Sequence, residues 1–80
     1  MELNWEQTRN DPIADTRIAD VGNYRFVITE EKTNPSPKPF YARLLHITSS
    51  KTYLLESGQY KTGQSAVTGM IRRASKYRIN

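Results

Sequence analysis

The clearest pattern of apolar and polar positions lies in residues 62–76. Its apolar positions repeat at helical spacing and are Ala66, Val67, Met70, Ile71 and Ala74. Thr62 precedes this stripe as a suitable N-cap, with Ser65 three residues on in place of the usual Glu or Gln of a capping box. Gly69 is disfavoured in a helix interior by roughly 1 kcal/mol, which indicates that the helix backbone approaches the sheet closely there. The pattern predicts an amphipathic helix that packs on a sheet.

A second pattern, in residues 16–29, predicts a β-hairpin. Gly22 and Asn23 are a two-residue turn signal, because both tolerate the positive φ of mirror-image turns. The predicted cross-strand pairs are Val21 with Tyr24, Asp20 with Arg25, Ala19 with Phe26, Ile18 with Val27, and Thr16 with Thr29. One face of the hairpin is then apolar. The other face carries an opposite-charge pair and a β-branched pair, both of which stabilise a ladder.

The chain after this hairpin predicts two more strands, over residues 40–48 and 52–56. Prolines at every second position hold residues 31–39 extended and remove ladder donors, so this segment is predicted to be a stiff loop. The strand over residues 40–48 is apolar on both faces, with Leu45 on one and Leu44 on the other. Because one helix covers only one face of a sheet, we expect a partner, such as a second copy, to cover the other.

Together these elements predict one small α+β domain over residues 1–80. We expect an antiparallel meander sheet of three or four strands with one C-terminal amphipathic helix packed on one face. In residues 1–12, the alternation of Leu3 and Trp5 suits a short strand, whereas Pro12 breaks one. The sequence therefore leaves open whether residues 1–12 are ordered or loosely held, and it gives neither the strand order nor the oligomeric state.

The charge is uneven along the chain. Residues 1–31 carry three arginines against seven acidic residues, a net charge of −4, and residues 32–80 carry nine basic residues against Glu56 alone, a net charge of +8. The basic part is suited to attract a polyanion or an acidic protein surface. No apolar run approaches the roughly 20 residues that span a membrane, and the first residues lack the regions of a secretion signal. We expect a cytoplasmic protein, bacterial or phage-borne, with no membrane association.

The sequence contains no catalytic or metal-binding pattern. The chain has no cysteine and one histidine, so a Cys/His dyad, a thiolate zinc site or a multi-histidine metal site cannot be built within it. No serine stands in a Gly-x-Ser-x-Gly context, and the glycines do not form a phosphate-binding loop. We expect no catalytic residues, no metal and no cofactor, hence not an enzyme. His46 is expected to be a strand residue near a protein surface.

Tyr60, Ala66 and Gly69, with the aliphatic residues that follow, resemble the YegP-like family of small bacterial domains. Those domains follow a pair of strands with an aromatic residue, a short capped turn, an alanine, and then glycine and an aliphatic residue on the helix. Residues 24–28 look like the family's first strand and residues 52–57 like its second, so the resemblance covers about half the chain. This sequence departs from the family pattern by inserting the proline loop and the strand that follows it. The resemblance implies a ββα fold and a habit of forming repeats and dimers rather than an activity.

A second resemblance is to the AP2-like arm-binding domains of phage and transposon integrases. It rests on three strands followed by residues 60–62 and then, after three further positions, Ala66. In those domains the three-stranded sheet enters the major groove of DNA. The resemblance implies a DNA-binding sheet face on which Arg25, Arg43 and Lys51 contact bases or phosphates.

The residues favour a non-catalytic protein-interaction module that forms a homodimer through its sheet and presents a basic helix to an acidic partner. The predicted partner-binding residues are Lys61, Arg72, Arg73, Lys76 and Arg78. One concrete form of this hypothesis is a mobile-element protein that inhibits a host nucleoprotein complex by occupying its site. The alternative is a DNA-binding domain of AP2-like type that uses the basic sheet face. The sequence does not identify the target, nor does it decide between DNA and protein.

Overall fold

The computed structural model describes residues 2–79, which form an antiparallel sheet and a C-terminal helical segment. Each strand pairs with the next along the chain, so the sheet is a meander in the order β1-β2-β3-β4-β5. The strands are β1 (Glu6–Asn10), β2 (Ala14–Val21), β3 (Tyr24–Glu31), β4 (Phe40–Ile47) and β5 (Thr52–Tyr60). They are followed by α1 (Gly63–Ala74) and one 3₁₀ turn (Ser75–Tyr77). The predicted α+β meander with one C-terminal helix is confirmed, but the predicted number of three or four strands is wrong, because residues 2–79 form five.

The additional strand is β1, which the sequence left open as part of residues 1–12. All five of its residues are polar and exposed, so it has no apolar alternation that would have predicted a strand. Pairing with β2 holds it in place, with a register shift between Gln7 and Arg9, and Gln7 Nε2 donates to Asp15 Oδ2 at 3.0 Å. Immediately before β1, Leu3 and Trp5 pack against the core.

The β2–β3 hairpin has the predicted register from Val21 opposite Tyr24 to Thr16 opposite Thr29. Gly22 has a φ of 59° and Asn23 does not have a positive φ, which places positive φ only at the first turn residue, as in type II′ turns. The two polar pairs of the predicted register, the charge pair and the threonine pair, are joined through their side chains. Arg25 donates to Asp20 through Nε at 2.7 Å and Nη2 at 3.1 Å, and the hydroxyls of the threonine pair lie 3.1 Å apart.

The two later strands are found where they were predicted, with different ends. The Pro-rich segment connects β3 to β4, and the last residue of β3, Glu31, donates its N–H to Pro39 O at 2.9 Å. The fifth strand continues to Tyr60 rather than ending at Glu56. A register shift opposite Leu44 and Leu45 leaves Leu55 without a partner in β4, so β5 contains a bulge.

The core lies between α1 and one face of the sheet, which we call the inner face. Its fully buried large side chains are Phe26, Leu44 and Met70. The helix buries Ala66, Met70 and Ala74 of the predicted stripe, whereas Val67 and Ile71 are half-buried. Thr62 is the predicted N-cap, and its Oγ1 accepts a hydrogen bond from Ser65 N at 3.1 Å. Among residues 2–79, no helix has the length and apolarity needed to cross a membrane.

Candidate binding surfaces

The five predicted partner-binding residues form what we call the basic cluster, around α1 and the turn after it. Two of them make contacts within the protein. Arg73 Nη1 donates to the carbonyl of Ser57 in β5, and its guanidinium lies 6.0 Å from the centre of the Tyr60 ring. Lys76 Nζ lies 3.1 Å from Glu56 Oε2. These two cations therefore hold the helix end to β5 as well as contributing positive charge.

The other three members of the basic cluster are Lys61, Arg72 and Arg78. All three are exposed, and none of their side chains makes a hydrogen bond or ion pair with another residue in 2–79. Arg78 has a φ of 55°, in the left-handed region, and its N–H donates to Ser75 O at 3.2 Å, which ends the 3₁₀ turn. These three cations are the ones most available to an anionic partner.

Tyr77 joins the end of the helical segment to β5. Its hydroxyl donates to Glu56 Oε2 at 2.6 Å and lies 3.3 Å from the carbonyl of Leu55. The hydrogen bond from Tyr77, followed by the one from Lys76, lowers the pKa of Glu56 below its usual value. The same hydrogen bond raises the pKa of Tyr77, because ionising the phenol would place two negative oxygens side by side.

The sheet face opposite α1, which we call the outer face, carries apolar side chains together with charged and polar ones, and no element of residues 2–79 packs across it. The register places these apolar side chains on it: Ile18, Val27, Tyr41, Leu45, Ile47 and Leu54. Val27 at its centre is only 6% exposed, because neighbouring side chains surround it, whereas Leu54 near the β5 edge is 59% exposed. The exposed apolar surface of the outer face therefore lies mainly near β5.

The residues proposed for DNA binding are only partly brought together. Arg25 lies opposite Leu45 and Arg43 lies opposite Val27, so the two arginines are diagonal neighbours on the outer face. Arg25 is paired with Asp20 through two hydrogen bonds, which raise the pKa of Arg25 and lower that of Asp20. Lys51 lies in the loop between β4 and β5. Of the two arginines on the outer face, Arg43 is therefore the one that has no ion pair in the described part of the chain.

Sequence reasoning missed a cavity of about 300 Å³ on the inner face, beside the start of α1. Its lining is mixed aromatic, aliphatic and charged: Trp5, Asp15, Arg17, Ile28, Glu30, Phe40, Gly63 and Val67. Asp15 lies directly opposite Glu30 in the ladder, and Arg17 Nε lies 3.5 Å from Asp15 Oδ1. Extending the predicted hairpin register by one pair would have placed the two carboxylates together. The cavity combines aromatic walls with negative charge, but it holds no nucleophile paired with a base.

The histidine lies in an aromatic stack on the inner face. Its ring centre is 4.7 Å from that of Tyr24, with the planes 14° apart, and 6.3 Å from that of Tyr53. Within residues 2–79, no group of three His, Cys, Asp or Glu side chains is arranged to hold a metal ion. The contacts of His46 are those of a packed strand residue.

No protein-family model matches the chain, and neither curated proteins nor solved structures give a significant match to it. The resemblances to YegP-like domains and to AP2-like arm-binding domains therefore stay predictions. The surfaces described above are the basis for any functional assignment.

Proposed function

We propose that this chain is a non-catalytic protein-interaction module, bacterial or phage-borne, that pairs with a second copy through the outer face and presents the basic cluster to an acidic protein surface. The observation that carries this proposal is the set of apolar side chains on the outer face, of which Leu54, at one side of it, is 59% exposed. A small domain buries a modest share of its surface, so covering this face with a second copy would add stability. Inhibition of a host nucleoprotein complex is one concrete form of the activity.

Sedimentation velocity at micromolar concentration tests the self-association. We expect a dimer for the natural chain and a monomer for Leu54→Glu, because a carboxylate buried in the interface at this position would lose its hydration. Thr68→Glu, on the exposed side of α1, is the matched control and should remain dimeric. A natural chain that sediments as a monomer at all accessible concentrations would contradict pairing through the outer face.

Binding of polyglutamate, as a probe for an acidic protein surface, tests the basic cluster. The combined variant Lys61→Gln, Arg72→Gln and Arg78→Asn removes the three cations whose side chains make no hydrogen bond or ion pair within residues 2–79. Asn suits the left-handed backbone at position 78. We expect weaker binding with a smaller salt dependence and nearly unchanged thermal stability. Equal binding by this variant and the natural chain would remove the basic cluster as a partner site.

The alternative function is DNA binding through the outer face, and one observation favours it: Arg25 and Arg43 share that face as diagonal neighbours. The pairing of Arg25 with Asp20 counts against it, because a phosphate would have to replace a carboxylate that is already bound through two hydrogen bonds. Electrophoretic mobility of a random duplex at two salt concentrations separates the two functions. Retardation that Arg43→Gln abolishes would favour DNA, and no retardation at low salt would favour a protein target.

A further inference from the structure

The two edges of the sheet differ in how they are protected from further pairing. One edge, β1, has five polar, exposed residues and a register shift. The other, β5, has nine residues, no proline and no charged residue except Glu56, and it exposes Tyr53 and Leu54. Short strands, charges and irregularities discourage strand addition, and long regular edges permit it. β5 also contains the bulge at Leu55, so the part of its edge that is open to an added strand is the regular run from Glu56 to Tyr60.

The register shows which backbone groups of β5 point away from the sheet. Ile47 N–H donates to Asn23 O at 2.7 Å, on the β3 side of β4. Alternation along β4 then directs the backbone groups of Leu44 toward β5, where Glu56 is its partner. The next residue of β5, Ser57, directs its N–H and C=O outward. These groups are the ones that an added strand would bond.

Side chains of the helical segment already bond part of this edge. Arg73 donates to the carbonyl of Ser57, and Tyr77 lies 3.3 Å from the carbonyl of Leu55 while donating mainly to Glu56 at 2.6 Å. Gly58 gives Arg73 room to reach the edge, because a Cβ there would lie 3.0 Å from Arg73 Nη1. The edge is thus bonded by the side chains of Arg73 and Tyr77 rather than by a further strand.

From these contacts we infer that the β5 edge binds an extended acidic segment of another protein, a conclusion that rests on the proposed function and names the kind of partner. A backbone N–H of the segment replaces Arg73 as the donor to Ser57 O. A carboxylate of the segment then binds the released Arg73 guanidinium, so each hydrogen bond lost is replaced by one gained. Lys51 and Lys61, which flank the two ends of β5, favour further acidic residues in the segment.

Charge also disfavours a second copy of β5 as the occupant. A two-fold antiparallel pairing over the whole strand would be centred on Glu56, which would then face its own copy. The same pairing would set Lys51 of one chain opposite Lys61 of the other. Like charges directly opposite in a ladder are destabilising. The edge is therefore suited to a partner of opposite charge, and the second copy binds at the outer face.

Selection from a random peptide library displayed on phage, with the intact chain immobilised, tests this inference. We expect enriched peptides that alternate apolar residues with Asp or Glu and that are not retained at high salt. The best peptide is then synthesised and titrated by calorimetry against Ser57→Pro, which removes an outward N–H without removing a bond to β4, and against Ser57→Ala as the matched control. We expect about tenfold weaker binding for Ser57→Pro, equivalent to about 1.4 kcal/mol, and unchanged binding for Ser57→Ala.

Enrichment of peptides without acidic residues, or equal binding to Ser57→Pro and the natural chain, would overturn the inference. If Ser57→Pro does not fold, amide exchange in the natural chain replaces it, with slowed exchange at Ser57 and Gln59 expected when peptide is added. Unchanged exchange at both amides would reject edge binding. Binding that depends on Arg72 and Arg78 but not on the edge would reject this inference and leave the proposed function standing.

Discussion

The ring of Tyr60 fills the space that a side chain at position 69 would need. A Cβ on Gly69 would lie 2.5 Å from Tyr60 Cε1 and 2.5 Å from its hydroxyl oxygen. The same hydroxyl donates to Met70 Sδ at 3.8 Å, so the last residue of β5 contacts two consecutive residues of α1. Position 69 therefore requires glycine, because the Tyr60 ring packs directly against the helix backbone there. Packing outweighs helix propensity at this position.

We expect Gly69→Ala to destabilise the protein, although alanine is the better helix former. Overpacking typically destabilises by about 1–3 kcal/mol, and the gain in helix propensity is about 1 kcal/mol. The difference of these two values is a net loss of about 0–2 kcal/mol. We expect the upper half of this range, because the clash is with a ring that lies between β5 and α1. Urea unfolding measures it.

Thr68→Ala is the control for this prediction, because Thr68 is exposed on the same helix. It should be neutral or slightly stabilising. In addition, Tyr60→Leu should reduce the effect of Gly69→Ala, since the two positions contact each other and their effects should not add. Gly69→Ala with stability equal to or above that of the natural chain would contradict the close contact.

The N-cap of α1 gives a second prediction. Thr62 Oγ1 accepts from Ser65 N at 3.1 Å, and the backbone of Thr62 is extended, with φ −133° and ψ 159°. We expect Thr62→Ala to lower the free energy of unfolding by about 1 kcal/mol, because one N–H at the helix start loses its acceptor. Thr62→Ser keeps the hydroxyl and should retain most of the stability. Equal losses for the two variants in urea unfolding would show that the methyl group, rather than the cap, is responsible.

Local signals in the sequence were sufficient for the hairpin and for α1. The turn at Gly22 predicted the correct cross-strand pairs of the hairpin. The apolar stripe after Thr62 predicted the helix and the residue at which it begins. The contact made by Gly69 was predicted as a close approach of the helix to the sheet, and the structure identifies Tyr60 as the group approached. These features depend on neighbours close in sequence or on apolar periodicity, which a single sequence carries.

Features that depend on distant pairing were not predictable in the same way. The polar strand β1 has no apolar pattern of its own and exists because β2 supplies its partners. The contacts of Arg73 and Lys76 with β5 join residues 16 and 20 positions apart in the chain, and charge counting treated both as free cations. The cavity beside Trp5 also required the three-dimensional arrangement of four elements. The sequence therefore indicated the positions of the five cations of the basic cluster, but not which of them bond to β5 and which are left for a partner.

Asp11 gives a third prediction, on acid stability. Its carboxylate binds Arg9 Nε at 2.7 Å and accepts from the N–H groups of Ile13 and Ala14 at 2.8 and 2.9 Å. The hydrogen bond from Arg9, followed by the two backbone bonds, lowers the pKa of Asp11 from 3.8 to about 2. A lowered pKa in the folded state gives a stabilising contribution above the unfolded value, which is lost as pH falls from about 4 to about 2.

We expect Asp11→Asn to weaken the pH dependence of stability in that interval. Asparagine retains an acceptor for the backbone N–H groups but carries no proton equilibrium and no charge for Arg9. Urea midpoints measured at several pH values between 2 and 5 should therefore converge for the two proteins at the acid end. Parallel curves over the whole interval would show that Asp11 does not carry this part of the acid sensitivity.

The hydrogen bond between Tyr77 and Glu56 predicts that the stability of the fold falls at both acid and alkaline pH. The 2.6 Å hydrogen bond raises the pKa of Tyr77 from 10.0 and lowers that of Glu56 from 4.5. The raised pKa gives a contribution that is present below pH 10 and lost as pH rises through the folded value. The lowered pKa gives a contribution that is present above pH 4.5 and lost as pH falls. The pair therefore stabilises the fold mainly between these limits.

We expect Tyr77→Phe to be less stable than the natural chain near neutral pH, with a difference that shrinks as pH approaches either limit. Tyr53→Phe is the matched control, because Tyr53 is exposed and its hydroxyl makes no hydrogen bond to another of residues 2–79. Titration of phenolate absorbance should lose a component of raised pKa in Tyr77→Phe. A stability difference that stays constant from acid to alkaline pH would assign the effect to ring packing instead, since packing does not change with the ionisation of Glu56 or Tyr77.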